Sequence, residues 1–357
     1  MCARACSTMD RMPVLPRRTS TALAVALSAL VILTVGACGN SSSSGPNVPT
    51  TTPQTPISAP PTAAAAAGTV VPAPASQSMA LDPSTSTLAV LGADRSSLEI
   101  YSTAGSGADT APRRVTLPTT VVAITTVGDG AVAAIAPDAV LRVDTTTGAV
   151  SKQDIPAPDP LSLARYTDGS LLVGTGSGSI LRVRADGTIA RTITGFVRVD
   201  GLAVASADQN SGDGQVVALD RAQSSVTTVD VEDGSLGAAL RAGDGATGIT
   251  VDHYGRFLTT DTRGNEFLGF DGNPLVAKFR YPVAAGPYAV GYDDTKNLAW
   301  VATTGNNQVV AYDLSTGIPV ERRRLATVGQ VDSLAVDSAT GTVYLLSARG
   351  EGLQIIR

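Results

Sequence analysis

Residues 347–357 read Ser-Ala-Arg-Gly-Glu-Gly-Leu-Gln-Ile-Ile-Arg (SARGEGLQIIR). About forty residues earlier, Thr304–Ala326 read TGNNQVVAYDLSTGIPVERRRLA. In the earlier stretch the apolar run Gln308–Asp313 is followed by a turn and then by another run. After Ile356 neither follows. The difference matters only if the two stretches are copies of one module, and the rest of the chain shows that they are.

Each module opens on a short apolar run. The seven runs are MALD ending at Asp82, VAIT at Thr125, LARY at Tyr166, LAVA at Ala205, ITVD at Asp252, VGYD at Asp293 and LAVD at Asp337. Successive ends lie 43, 41, 39, 47, 41 and 44 residues apart, and the longest interval contains the polar insertion ADQNSGDG, Ala207–Gly214. A second run follows each opening run, as in TLAVLG, AVAAIA and TVYLLSA. A third follows the second, as in SLEIYS, AVLRVD and GLQIIR. These runs are short, β-branched or aromatic, and bounded by Gly, Asp, Asn and Ser, the pattern of strands joined by tight turns. A fourth, more polar run suits an exposed outer edge, but only six exist: RRVTLP, SKQDIP, ARTITG, GAALRA, VAKFRYP and ERRRLA.

Four antiparallel strands at a period near 42 residues match one blade of a β-propeller. No long 3.6-residue pattern supports helical repeats. The expected fold is therefore all-β: seven four-stranded antiparallel blades over residues 68–357. The missing fourth strand of blade 7 is expected from GTVVPAPA, Gly68–Ala75, the one unassigned apolar segment. Supplied there, it closes the ring and removes the free edges of an open arc. The pattern resembles the YncE-like seven-bladed propellers, with their repeated LAVD, LYVA and VxVxDxxTG elements. WD-repeat pairs and Kelch double glycines are absent, and Trp300 is the single tryptophan.

The N-terminal stretch RRTSTALAVALSALVILTVGAC carries the basic pair Arg17-Arg18, an uncharged apolar run from Thr19 to Ala37, and then Cys38. The run is short for a bilayer crossing and ends in small residues. It resembles a bacterial lipoprotein signal, which implies cleavage after residue 37 and two acyl chains, palmitate among them, on Cys38. Two chains satisfy the requirement for stable anchoring. Together with the propeller pattern, this resembles the propeller lipoproteins of mycobacteria. It implies an anchored protein on the outer face of the plasma membrane, in the cell envelope. Residues 1–11 read as an over-long start ahead of Met12. Residues 38–67, rich in Pro, Thr, Ser and Ala, hold almost no large apolar side chain and are expected to form a disordered tether.

Several function classes are excluded by composition. Net charge is −5 overall and −8 without residues 1–37, so no global attraction to nucleic acid exists. Cys2, Cys6 and Cys38 are the only cysteines, and His253 is the only histidine. The repeat region therefore has no disulfide, no thiolate metal site and no two-histidine site. The Asp residues closing the third run (Asp144, Asp230, Asp271, Asp313) and the first run (Asp82, Asp252, Asp293, Asp337) are expected to brace turns. None of these stretches supplies a calcium loop. GTGSGS, Gly174–Ser179, joins two strands rather than opening a helix and is no phosphate loop.

The candidate binding face is formed by the loops between second and third runs, which a propeller gathers around one mouth of its channel. They carry Asp94, Arg95, Asp220, Arg221, Asp261, Arg263, Asn265, Asn306, Asn307, Arg349 and Glu351. Arginine forks suit carboxylate or phosphate recognition. No catalytic residue, metal ligand or cofactor site is assigned. The expected role is a non-catalytic binding or scaffold protein whose partner is an envelope protein or a small molecule. The alternative is a lactonase-like metal-dependent hydrolase or lyase acting on an envelope metabolite at the channel mouth.

Overall fold

The computed structural model describes residues 49–104, 111–206 and 214–357. The signal, Cys38, residues 1–11 and most of the insertion 207–213 lie outside the described residues. Those described contain no helix and form seven four-stranded antiparallel sheets. Blades 1 to 6 occupy 79–116, 123–154, 160–194, 201–241, 246–282 and 287–326, each with its strands in chain order. Blade 7 occupies 331–356 and has the order Thr69–Val71, Leu353–Ile356, Thr342–Ser347, Val331–Asp337. The strand that precedes blade 1 in sequence thus completes blade 7, pairing Thr69 with Ile355, Val70 with Gln354 and Val71 with Leu353. The chain is a seven-bladed β-propeller.

Period-2 alternation explains where each strand sits. Second strands are buried on both faces, as in Ala131–Ala136 and Thr342–Ser347. Fourth strands are the wet outer rim, with most of Val320–Ala326 exposed. First strands alternate between blade packing and the channel, as in Pro160–Arg165. Several opening strands start earlier than their most apolar residues suggest. Those of blades 6 and 7 begin at Pro287 and Val331, where a register irregularity lets a polar or Pro-containing start join the sheet.

The core is seven apolar clusters, one per blade boundary. Blades 6 and 7 meet through Trp300, Val309, Val331 and Leu345. Blades 7 and 1 meet through Tyr344, Leu346, Leu88 and Tyr101, with Val71 of the closing strand among them. The Tyr101 hydroxyl donates to the Pro72 carbonyl at 3.0 Å, which ties blade 1 to the closing strand. Gln354, fully buried, donates from Nε2 to the carbonyls of Ala67 and Ala326 and accepts from the Val328 amide.

Turn aspartates explain the hairpins. Asp144 accepts the Thr146 and Thr147 amides, Asp313 that of Ser315 and Asp230 that of Asp233. Asp252 and Asp293, both fully buried, cap their turns in the same way, and Asp82 reaches the Gly130 amide of the next blade.

Candidate functional site

The loops between second and third strands collect on one face with the links from fourth strands to the next blade. The chain's own residues 49–67 lie against that face. This segment, expected as part of a free tether, has no regular secondary structure, yet it is bonded to four blades in succession. The Thr51 amide donates to the Ala222 carbonyl of blade 4 at 2.8 Å. Arg221 of the same loop donates to the Gln54 carbonyl. Arg263 of blade 5 donates to Gln54 Oε1 at 3.1 Å and to the Thr52 carbonyl at 3.4 Å. Asn307 of blade 6 donates to the Pro60 carbonyl at 2.9 Å, and Arg349 of blade 7 to the Ala59 carbonyl at 2.9 Å. Gln330 accepts the Ala59 amide through Oε1 at 2.9 Å and donates to the Ile57 carbonyl, while Glu351 accepts from the Thr62 hydroxyl.

The physical reason lies in the backbone. Prolines 53, 56, 60 and 61 hold the segment extended and leave its carbonyls free, because proline offers no amide to pair with them. Guanidinium and amide donors satisfy those carbonyls, and Ala59 becomes buried. Ile57 rests over Gly286 and Gly305, where a Cβ at Gly286 would come within 2.5 Å of the Ile57 side chain.

The eleven loop residues therefore divide. Arg221, Arg263, Asn307, Arg349 and Glu351 grip the segment. Asp220 and Asp261 are fully buried and serve the scaffold: Asp220 accepts amides of Val197, Arg198, Ala222 and Gln223, and Asp261 those of Asp244, Gly245 and Gly264. Asn265 accepts the Gly286 amide, and Asn306 bonds Thr303 and Gln308. Asp94 accepts the Ser96 amide, the Ser97 hydroxyl and Arg114, which hold its carboxyl below the usual range. Arg95, at φ 56°, turns the blade-1 loop and borders the channel mouth.

That mouth is a cavity of about 450 Å³ that the segment leaves open. Arg95, Arg221, Tyr288, Asp332, Gln77 and Leu161 line it. The Arg221 guanidinium stands over the Tyr288 ring at 5.9 Å from its centroid, and its buried Nε has no hydrogen-bond partner. Burial pushes the Asp332 carboxyl up, against hydrogen bonds from Gln330 at 3.0 Å and Gln77 at 2.8 Å. Beside them Arg198 is paired with Asp200 at 2.7 Å. Gln77 and Gln330 escaped the sequence reading because they sit on links between blades, and Tyr288 and Asp332 because they sit at the starts of opening strands, ahead of the most apolar residues. The regular placement of such links on the same face was the signal that could have found them.

Among the described residues no three His, Cys, Asp or Glu side chains are grouped to hold a metal ion. His253 is on the opposite face, its Nδ1 at 3.1 Å from the Tyr292 hydroxyl and its ring against Tyr254.

No family model matches the sequence, and no curated protein matches it. Solved structures match it in fold. A streptogramin B lyase is 14% identical with TM-score 0.63, over 81% of this chain and 95% of that one. Kuenenia stuttgartiensis hydrazine synthase is 14% identical with TM-score 0.68, over 82% and 99%. A chain of the mitotic checkpoint complex is 13% identical with TM-score 0.66, over 88% and 96%. The likeness is one of fold. Lyase, synthase and checkpoint assembly share it, so it carries no activity across to this chain.

Proposed function

We propose that this protein is a non-catalytic binding or scaffold module of the bacterial cell envelope, similar to YncE-like propellers and anchored through acyl chains on Cys38. Its loop face would bind an extended segment of an envelope protein. One observation carries this: Arg221, Arg263, Arg349, Asn307 and Gln330 already hold an extended polypeptide, mainly by its backbone carbonyls. Carbonyl recognition is tolerant of side chains, so the same donors suit another Pro-rich extended strand. The metal-dependent alternative gains no support from the described residues, among which no three His, Cys, Asp or Glu side chains are grouped to hold a metal ion.

The reading also shortens the tether. Eleven residues lead from Cys38 to Pro49, the first described residue, so they span at most about 40 Å however they are arranged. The loop face, where the segment is laid, would then stay close to the bilayer.

A photo-crosslinking residue in place of Ser96, beside the open part of the mouth, tests the proposal in cells. It should capture a defined envelope protein, and capture should fall when Arg221, Arg263 and Arg349 are changed to Ala. Recovery of no protein, or capture indifferent to the three arginines, overturns it. A stoichiometric divalent ion in protein purified without chelator would instead revive the hydrolase or lyase.

A further inference from the structure

On the face opposite the loop site, the boundary between blades 2 and 3 opens into a groove of about 390 Å³. Three arginines line it: Arg142 from the strand Ala139–Asp144, Arg165 closing the strand Pro160–Arg165, and Arg184 just after the strand Ser179–Val183. Among the described residues none of these guanidiniums makes a hydrogen bond or an ion pair. Lining the groove are Val127, Val140, Leu171 and Val183, all members of the apolar cluster between these blades. Asp129 is the one carboxylate in the lining. Asp186, two residues on from Arg184, accepts the Thr188 hydroxyl and amide, and the Arg184 charge also helps to hold its carboxyl below the usual range. Gln153, also in the lining, donates from Nε2 to the Ala185 carbonyl at 2.8 Å.

Neighbouring boundaries are built differently. Between blades 3 and 4, Arg182 is neutralised by Asp168 at 2.7 Å and Glu232 at 2.8 Å. In blade 5, Arg256 pairs with Asp252 and donates to the Leu314 carbonyl of blade 6. With three guanidiniums to one carboxylate in its lining, the groove at blades 2 and 3 carries an excess of positive charge that favours an anion. Gly128, at φ 78°, makes room for the crowding: a Cβ there would stand 3.2 Å from Arg165 Nη1. Guanidinium forks match carboxylate and phosphate oxygens, and the apolar lining accepts a hydrocarbon body. The volume is that of small-molecule sites.

We propose that this groove binds a small organic anion, a phosphate monoester or carboxylate with an apolar body, whose head group sits among Arg142, Arg165 and Arg184. The site is independent of the loop face and of whatever that face binds.

Isothermal titration of the detergent-solubilised full-length protein tests it, with phenyl phosphate, benzoate and inorganic phosphate as probes. One equivalent of phenyl phosphate or benzoate should bind, the tighter of the two naming the head group. It should bind at least about fivefold more tightly than inorganic phosphate, since the ring covers apolar surface. Arg165→Gln and Arg184→Gln should each weaken it about tenfold, whereas Arg113→Gln, at a different boundary, should not. The three arginines are exposed, so an unchanged melting temperature confirms that the variants fold. Three outcomes overturn the proposal: no saturable binding up to about 10 mM, unchanged affinity in the arginine variants, or inorganic phosphate binding as well as the aromatic probes.

Discussion

Asp313 and Asp332 show how location decides what a carboxylate does. Asp313 sits in a hairpin turn, where the Ser315 hydroxyl and amide and then Arg322 hold its carboxyl down at about 2. A carboxyl lowered on folding stabilises the fold above its ordinary range, and that contribution is lost as pH falls through the folded value. Asp313→Asn should therefore lower the melting temperature at pH 7 by about 2 °C, with the difference from wild type closing between about pH 4 and pH 2. Asp332 has the opposite sign. Burial raises its carboxyl, against Gln330, Gln77 and Arg221, so ionisation disfavours the folded state as pH rises through the raised value. Asp332→Asn should melt higher than wild type at pH 7 and show no advantage near pH 3, both read by scanning calorimetry. A lower melting temperature at pH 7 would mean that the two glutamine contacts outweigh the burial. The turn role of Asp313 was legible in the sequence because its partners lie within nine residues. Asp332 was not, because its burial exists only once links from distant blades meet at the channel mouth.

At the scale of elements, the blades were legible because each is a local hairpin series with period-2 alternation and Gly or Asn at left-handed turns. The closing strand was legible by elimination, as the one apolar segment without a blade. Its start is tightly constrained: Gly68 adopts φ 75°, and a Cβ there would collide with the Ile355 carbonyl. Gly68→Val should lower the melting temperature by several degrees, since a β-branched residue is strained at that φ and clashes with backbone. An unchanged value would mean that the strand pairs in another way. The course of residues 49–62 was not legible. Composition shows that this stretch has almost no large apolar side chain, Ile57 apart, and from that the expected outcome is a loose chain. What holds it instead is a row of donors on four blades, visible only when those blades are side by side. Gln330→Ala removes the acceptor of the Ala59 amide. Exchange of that amide should speed up by about tenfold or more, while amides of the second strands stay protected. If Ala59 exchanges at the rate of a free chain in wild type, the segment does not lie on the face.

At the scale of the whole molecule, stability rests on seven equivalent boundaries, and the one between blades 7 and 1 depends on residues distant in sequence. Val71 lies in that boundary's apolar cluster, and the closing strand covers the outward edge of Leu353–Ile356. Residues 49–67 contribute mainly single polar contacts, most of them only partly buried and each worth about 1 kcal/mol or less. Two truncations separate these roles. A chain beginning at Gly68 lacks the segment on the loop face but keeps the closing strand. It should unfold in one cooperative transition, within about 5 °C of the full chain. A chain beginning at Ser76 lacks the closing strand too, leaving an unpaired edge in blade 7 and an incomplete apolar cluster beside blade 1. It should melt at least about 10 °C lower and elute as oligomers, because the bared edge offers its backbone groups to a second copy. If both truncations behave alike, closure does not depend on Thr69–Val71, and the ring is held by the contacts of blades 7 and 1 alone.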